Sequence, residues 1–590
     1  MPRFVGLLVA IGLLAACQQA PESSAPAESA HRGSKTASVA EPKLADSVYH
    51  SGRIYTVNPG QPWAQAVAIH DGKIVFVGSD DAVRAYIGMK TTVHDLRRRL
   101  MLPAFQDSHI HPITSGMDAA ACDLFGLNDI ALYRTRIADY AAANPDVPWI
   151  LGGGWSMAVF GPGASPSRKI LDELVADRPV YLTAQDGHTG WANSVALEIA
   201  GITKNTPNPP DGIIDRDPES GEPIGSLQEG AMELVKRHIP ETTLEDRLQG
   251  LRYARDMLHG YGITSIQDAS VLEGDLEAYA KLDSAGELSL RVVAALWWER
   301  NETEEQIPQL LELREKFNNG HIRPTTVKIM QDGVMENYTA VMLEPYLTEY
   351  DTRGIPMIEP EFLKEAVSLL DAAGFQVHFH AIGDGAIRQS LDAIEEALKR
   401  NGKLDHRHHI SHLQVIDPAD IPRFAKLNVV ANFQPVWAYA DEYIVDLTLP
   451  FISEERAKWM YPIKSVIDAG GKVAFGSDWA VSTANPFPQI ETAITRVDAD
   501  THNTEVLNPE QRITLQQAIE AFTINAAFVN QQDDSTGTIE KGKLADLIVI
   551  DRNLFEIKPG EISDAKVVLT LFEGKPVYGA LSATVPRGAN

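Results

Sequence analysis

Met101-Leu-Pro-Ala-Phe-Gln-Asp-Ser-His-Ile-His-Pro112 is the stretch from which the fold can be read outward. An apolar run leads through Asp107 into two histidines, His109 and His111, one residue apart and followed at once by a proline. On a β-strand side chains alternate faces, so the two imidazoles point the same way, roughly 7 Å apart, and can share one metal ion. Zinc needs three or four N, O or S ligands, and the chain has only two cysteines. The remaining ligands must then be His, Asp, Glu or an altered Lys from further along.

Residues 103–530 alternate short apolar runs with amphipathic helices. Leu244, Leu248, Leu251, Ala254 and Leu258 fall at helical spacing before Gly260, and Phe362 to Ala373 ends at Gly374. Strand-like runs recur at Gly262–Asp268, Arg291–Trp297, Thr326–Asp332, Gln376–His380, His408–His412, Val429–Gln434 and Lys472–Asp478. With the stretch around His109 they number eight, which predicts an α/β fold with a (β/α)8 TIM barrel and its chemistry at the C-terminal ends of the strands. Val180 to His188 also reads as a strand, and the interval from Thr114 to about Ile239 is too long for one βα connection. About 114–239 is therefore expected to be an insertion over the barrel mouth, with Gly152-Gly-Gly-Trp155 and Gly187-His-Thr-Gly-Trp191 as pocket-lining loops.

Both flanks read as short strands. Asp71-Gly72 between Ala66–His70 and Lys73–Val77 is a strong hairpin signal, and Gly537–Asp551 and Val567–Tyr578 supply similar runs near the other end. Neither flank has enough apolar faces to fold alone. A small β-sandwich assembled from 46–102 and 531–590 is the economical expectation.

The N-terminus reads as a targeting segment: Arg3, an apolar core from Phe4 to Leu14 too short to span a membrane, then Leu14-Ala-Ala-Cys17. That tetrapeptide resembles the lipobox of bacterial lipoproteins, which implies cleavage before Cys17 and lipid on its thiol; an ordinary secretory signal cut near Ala16 or Ala20 is the alternative. Gln18 after the cysteine implies sorting to the outer membrane, facing the periplasm. Residues 18–45, rich in Ala, Ser, Pro and Glu, read as a flexible tether. With Cys17 acylated only Cys122 remains, so no internal disulfide can form. The net charge of -28 is spread along the chain without a basic stripe, which argues against nucleic acid as a partner and leaves a small molecule as the expected one, with the membrane reached only through lipid. Oligomeric state is not encoded in any pattern found.

Polar residues at the predicted strand ends fall into one register. The first strand ends with His109 and His111, the fourth carries Lys328, the fifth ends at His380, the sixth at His412 and the eighth at Asp478. His380 shares its face with His378, and His412 with His408, so each pair offers a choice; the later residue lies nearer the mouth. Asp478 can also cap a following helix, Asp332 can hydrogen-bond a loop, and His188 can pack inside the insert or touch substrate. Trp155, His188 and Asp332 are the candidate substrate contacts.

These motifs resemble the metal-dependent hydrolases of the amidohydrolase superfamily, most of all the branch holding N-substituted formamide deformylases. The carrying stretches are Pro103–His111, Val327–Gly333, His378–Asp384, Arg407–His412, Gly476–Trp479 and Lys541–Asp546. Ala104, where glycine is usual, and Ser411, where an acidic residue often stands, depart from the pattern without removing a ligand. The resemblance implies that His109, His111 and Asp478 hold one divalent ion, that His380 and His412 hold a second, and that Lys328, N-carboxylated, bridges two ions, zinc by expectation. An unmodified Lys328 with a single metal is the alternative. It also implies hydrolysis of a non-peptide, amide-like C–N bond by a metal-activated hydroxide, with Asp478 as the catalytic proton carrier. Esters, lactones and cyclic imides would suit the same site, and a non-catalytic, lipid-anchored metal or solute receptor is the alternative of another class. Mononuclear deaminases fit less well: Ala381-Ile-Gly-Asp384 follows the fifth-strand histidine where they carry a glutamate.

Overall fold

In the computed structural model, which describes residues 43–161, 165–349 and 351–584, eight strands pair in parallel and in chain order: β1 (Phe105–Ile110), β2 (Ile263–Val271), β3 (Arg291–Trp297), β4 (Ile322–Met330), β5 (Gln376–Ala381), β6 (His409–His412), β7 (Val430–Phe433) and β8 (Lys472–Phe475). The first and last strands meet through Ser108 Oγ, which donates to Phe475 O at 2.7 Å, and through the Asp478 N–H, which donates to His109 O at 2.8 Å. Period-two alternation explains the layering of β5: Val377, Phe379 and Ala381 join the apolar core under the helices, while His378 reaches across the lumen to His109. Amphipathic helices cover the outside. One of them, Leu244–Gly260, starts at a Thr243/Asp246 capping box and buries Leu248, Leu251, Ala254 and Leu258.

The lumen is unusually polar below the mouth. His409 Nε2 lies 2.7 Å from Gln267 Oε1, Gln267 reaches Gln376 and Asn530, and Asn530 reaches Gln106. A buried network of this kind is tolerable only when its members are paired, and a paired network fixes side chains firmly.

Two further sheets draw on both chain ends. One runs Lys575–Gly579, Val567–Phe572, Leu547–Ile550, Leu100–Pro103, Arg53–Tyr55, Trp63–Ala64; the other holds Ser47–His50, the hairpin Ala66–His70/Lys73–Gly78, Thr92–Asp95 and Ala583–Thr584. Asp71 (φ 51°) and Gly72 (φ 71°) both take positive φ, as a two-residue hairpin turn of the primed type requires. Met101, Leu547 and Val549 face the other sheet, whereas Leu100, Leu102, Ile548 and Ile550 face the barrel. Both faces are therefore buried, which is why these runs read as continuously apolar.

The interval after β1 contains a sheet of its own, in the order Gly212–Arg216, Pro223–Glu229, Thr189–Ala192, Val180–Ala184, Ile150–Trp155, Cys122–Asp123. The two expected glycine-rich loops differ from expectation, because Ile150–Trp155 and Thr189–Ala192 are strands. The glycines permit close packing there: a Cβ on Gly152 would come within 2.2 Å of Cys122 O, and one on Gly153 within 2.6 Å of Thr183 O. The targeting segment 1–17, Cys17 and the tether as far as residue 42 lie outside the described residues; Ala45, placed in the tether by sequence, is already docked, its N–H donating to Tyr86 O. Among the described residues no helix is long and apolar enough to cross a membrane.

Candidate metal centre

The mouth of the barrel gathers side chains from β1, β4, β5, β6 and the turn after β8. His109 lies one residue before the end of β1, and His111 stands just before the helix Pro112–Asp118. Asp478 has φ 52°, a left-handed turn that aims its carboxylate back at β1. The turn lies so close to β1 that a Cβ on Gly476 would sit 2.6 Å from His109 Cβ. Buried Asp107 ties the two together, its Oδ1 accepting from the N–H groups of His109 at 3.1 Å and Ser477 at 3.0 Å. His412 departs from strand alternation: with φ 80° it turns into the mouth, whereas His408 points outward and bonds Asp371 at 3.1 Å. The expectation that His408 and His412 share a face is thereby corrected.

Asp478 Oδ1 lies 3.3 Å from His109 Nε2 and 3.1 Å from His111 Nε2, and Oδ2 lies 3.9 Å from His412 Nδ1. One ligand atom each from His109, His412 and Asp478 falls within 4.8 Å of the others. The ring centroids of His380 and His412 are 4.4 Å apart. Lys328, 2 % exposed, sits beside His378 in the β4–β5 register and is electrostatically coupled to His109, His380 and His412.

Three imidazoles have Nδ1 taken up. His109 Nδ1 meets His378 Nε2 at 2.9 Å, His380 Nδ1 meets Asp332 Oδ1 at 3.2 Å, and His412 Nδ1 meets Gln434 Oε1 at 2.9 Å. Each therefore has Nε2 to offer, in an orientation fixed by its partner.

Electrostatics favour a cation. Burial, with Lys328 adding to it, pulls His109 down to about 3, and burial first among the causes holds His380 and His412 well below the usual imidazole range. All three are neutral at pH 7, the form that ligates a metal. Burial would raise the Asp478 carboxyl, but His109, His111 and His412 outweigh it and keep it ionised, well below the usual carboxylate range. Burial draws the Lys328 ammonium down to about 7.

The donor set fits a divalent ion. Bonds of about 2.1 Å at tetrahedral angles place ligand atoms about 3.4 Å apart, close to the distances of Asp478 Oδ1 from His109 Nε2 (3.3 Å) and from His111 Nε2 (3.1 Å). His109 Nε2 and Asp478 Oδ1 are buried with no hydrogen-bond partner in spite of their proximity, a costly arrangement that a cation between them would relieve.

Of the residues singled out by sequence, His109, His111, His380, His412, Asp478 and Lys328 are brought together. His188, from the insert, joins them, its ring centroid 5.1 Å from that of His380. Trp155 does not: it is fully buried in the insert core against Trp191, its Nε1–H donating to Leu182 O. Asp332 is also corrected as a substrate contact. It is fully buried, and its oxygens serve His380 and the N–H groups of Val341, Ile382 and Gly383.

His378, offered by sequence as the alternative to His380, supports His109 instead. Two supporting residues escaped the sequence reading. Gln434 lay at the end of a predicted strand and was visible as a polar residue near the mouth. Glu229, which holds His188 Nδ1 at 2.9 Å, gave no signal, because nothing local marks a residue whose partner is on another strand.

A sequence model of the amidohydrolase family matches residues 92–578. The chain is 32% identical over 553 residues to Protein LONG AFTER FAR-RED 3 of Arabidopsis thaliana, covering 91% of this chain and 92% of that one. It is 25% identical over 545 residues to the N-substituted formamide deformylase of Arthrobacter pascens, covering 90% and 98%. Among solved structures, a metal-dependent hydrolase from Pyrococcus furiosus superposes with a TM-score of 0.67 at 27% identity, covering 86% of this chain and 99% of that one.

Proposed function

The chain belongs to the amidohydrolase family and is a hydrolase of C–N bonds other than peptide bonds, and from that premise we propose that it cleaves a small amide-like substrate, an N-substituted formamide or a related N-acyl compound. The observation that carries this reading is the buried, unpartnered pair of His109 Nε2 and Asp478 Oδ1 among neutral imidazoles. His109, His111 and Asp478 would hold one divalent ion and His380 with His412 a second, zinc in both cases; Lys328 would serve both as an N-carboxylated side chain. When bound, such ions supply Lewis acidity, bringing the pKa of water towards about 7 and polarising a carbonyl.

Asp478 is ionised at neutral pH and so can accept a proton from the attacking water, then return it to the leaving nitrogen as the C–N bond breaks. His188 contacts the substrate from the insert side of the mouth. Ser411 Oγ, 2.8 Å from His378 Nε2, and His378 itself, 2.9 Å from His109 Nδ1, restrain the two rings, so the reacting groups need little rearrangement.

Metal analysis with a panel of N-formyl and N-acyl amines, dipeptides, lactones and cyclic imides tests the proposal. Turnover of an N-formyl or N-acyl amine, abolished by chelation and restored by zinc, is expected. Turnover of lactones alone would move the bond class, and tight zinc without any hydrolysis would favour the receptor alternative. Export and acylation of Cys17, with anchoring in the outer membrane facing the periplasm, form part of the same proposal and rest on Arg3, Phe4–Leu14 and Leu14-Ala-Ala-Cys17.

A further inference from the structure

The insert delivers more than His188 to the mouth. Strands Thr189–Ala192 and Pro223–Glu229 pair antiparallel with Thr189 opposite Gln228, so the next residues along, His188 and Glu229, stand opposite each other. The Glu229 N–H donates to His188 O at 3.0 Å, and the side chains meet as well, His188 Nδ1 lying 2.9 Å from Oε2 and 3.1 Å from Oε1. Glu229 Oε1 also accepts from Thr339 Oγ1, 2.8 Å away on the segment after β4. A Cβ on Gly333 would come within 2.1 Å of that same oxygen. Only glycine at 333 leaves room for the carboxylate between insert and barrel.

Glu229 also holds an unfavourable backbone, φ 50° and ψ −127°, a region that favours glycine. A non-glycine residue persists there only when its surroundings over-determine it, and such residues cluster at functional sites. The carboxylate belongs to no ligand set described above, and its direct partners are His188 and Thr339. With Nδ1 occupied, the nitrogen that His188 has left to offer is Nε2, on a ring that neighbours His380.

We propose that Glu229 is a positioning residue, which grips His188 by Nδ1 so that the ring is fixed beside His380 with Nε2 free to meet the substrate. The inference rests on the reading of His188 as a substrate contact. A ring already held in place meets the substrate without having to reorganise during the reaction.

The test compares zinc-loaded wild type with Glu229→Ala, Glu229→Gln, Gly333→Ala and His188→Asn, by crystal structure, zinc content and kinetics on an N-formyl amine. Glu229→Ala is expected to keep its zinc, to let the His188 ring turn away from His380, and to lower kcat about 10–100-fold with KM little changed. Glu229→Gln retains an acceptor and should restore both ring placement and most of kcat. His188→Asn should cost as much as Glu229→Ala, and the double variant no more than either. Should Glu229→Ala fail to fold, Gly333→Ala decides the matter, since it displaces the carboxylate without removing it. A ring that stays in place once the carboxylate is removed or displaced overturns the proposal, as does zinc lost in step with activity. A ring that turns while His188→Asn keeps full kcat overturns it too, together with the substrate contact. The crystallographic arm needs no turnover, so it stays decisive if the hydrolase reading itself fails.

Discussion

Gly476→Ala probes how tightly the cluster of ligands is built. The added Cβ would lie 2.6 Å from both Cβ and N of His109 and 3.0 Å from its Cα. Carbon atoms need about 3.5 Å, so β1 and the turn carrying Asp478 must part by about 0.9 Å. The obstructing atoms are backbone and Cβ, which no rotamer change can move. Metal–ligand distances tolerate only about 0.2 Å, so His109 and Asp478 should cease to act on one ion. Zinc affinity is expected to fall at least about 100-fold, equivalent to about 2.7 kcal/mol at 1.36 kcal/mol per tenfold, and turnover by about the same factor. The overpacking itself should cost the metal-free protein about 1–3 kcal/mol. Competition with a chromophoric chelator reads the affinity, and thermal denaturation of metal-free protein reads the packing cost. Zinc affinity close to wild type would refute the claim that the β1–β8 seam sets the ligand geometry.

Asp478→Asn should lower kcat about 10²–10⁴-fold while zinc content falls much less; near-normal kcat would remove Asp478 as the proton carrier. The clasp between β3 and the last strands should be pH-sensitive: His321 and Arg291 hold Glu573 down to about 2, against 4.5 ordinarily, while Glu573 and Asp283 raise His321. Stability from Glu573 is then complete above about pH 4.5 and lost towards pH 2, whereas stability from His321 is complete below about pH 6.5 and lost as pH rises through its raised value. Urea midpoints measured across this range should fall on both sides, and Glu573→Gln should flatten both limbs. Cys17→Ser should abolish palmitate labelling and release the protein from membranes; retention with lipid attached would show that another residue carries the anchor.

The barrel was legible in sequence because its strands are buried on both sides and end in polar residues, so strand number and mouth could be counted together. The hairpin at Asp71-Gly72 was legible for a local reason, the two positive φ angles that those residues adopt cheaply. Ile150–Trp155 was misread because three successive glycines look like a loop, although here they let neighbouring backbones approach. His412 turns into the mouth, whereas alternation alone would have put it on the same face as His408, towards Asp371; the left-handed backbone that redirects it is a tertiary effect. Glu229 could not be read at all, since its role depends on a cross-strand pairing and on the empty space at Gly333.

Leu100–Pro103 is paired with Leu547–Ile550, so this strand just before the barrel waits for a neighbour that follows the whole barrel in the chain. A chain released only as far as Phe475 holds all eight barrel strands but leaves that edge of Leu100–Pro103 without its partner. Completion of this sheet is therefore deferred until the barrel segment has been synthesised.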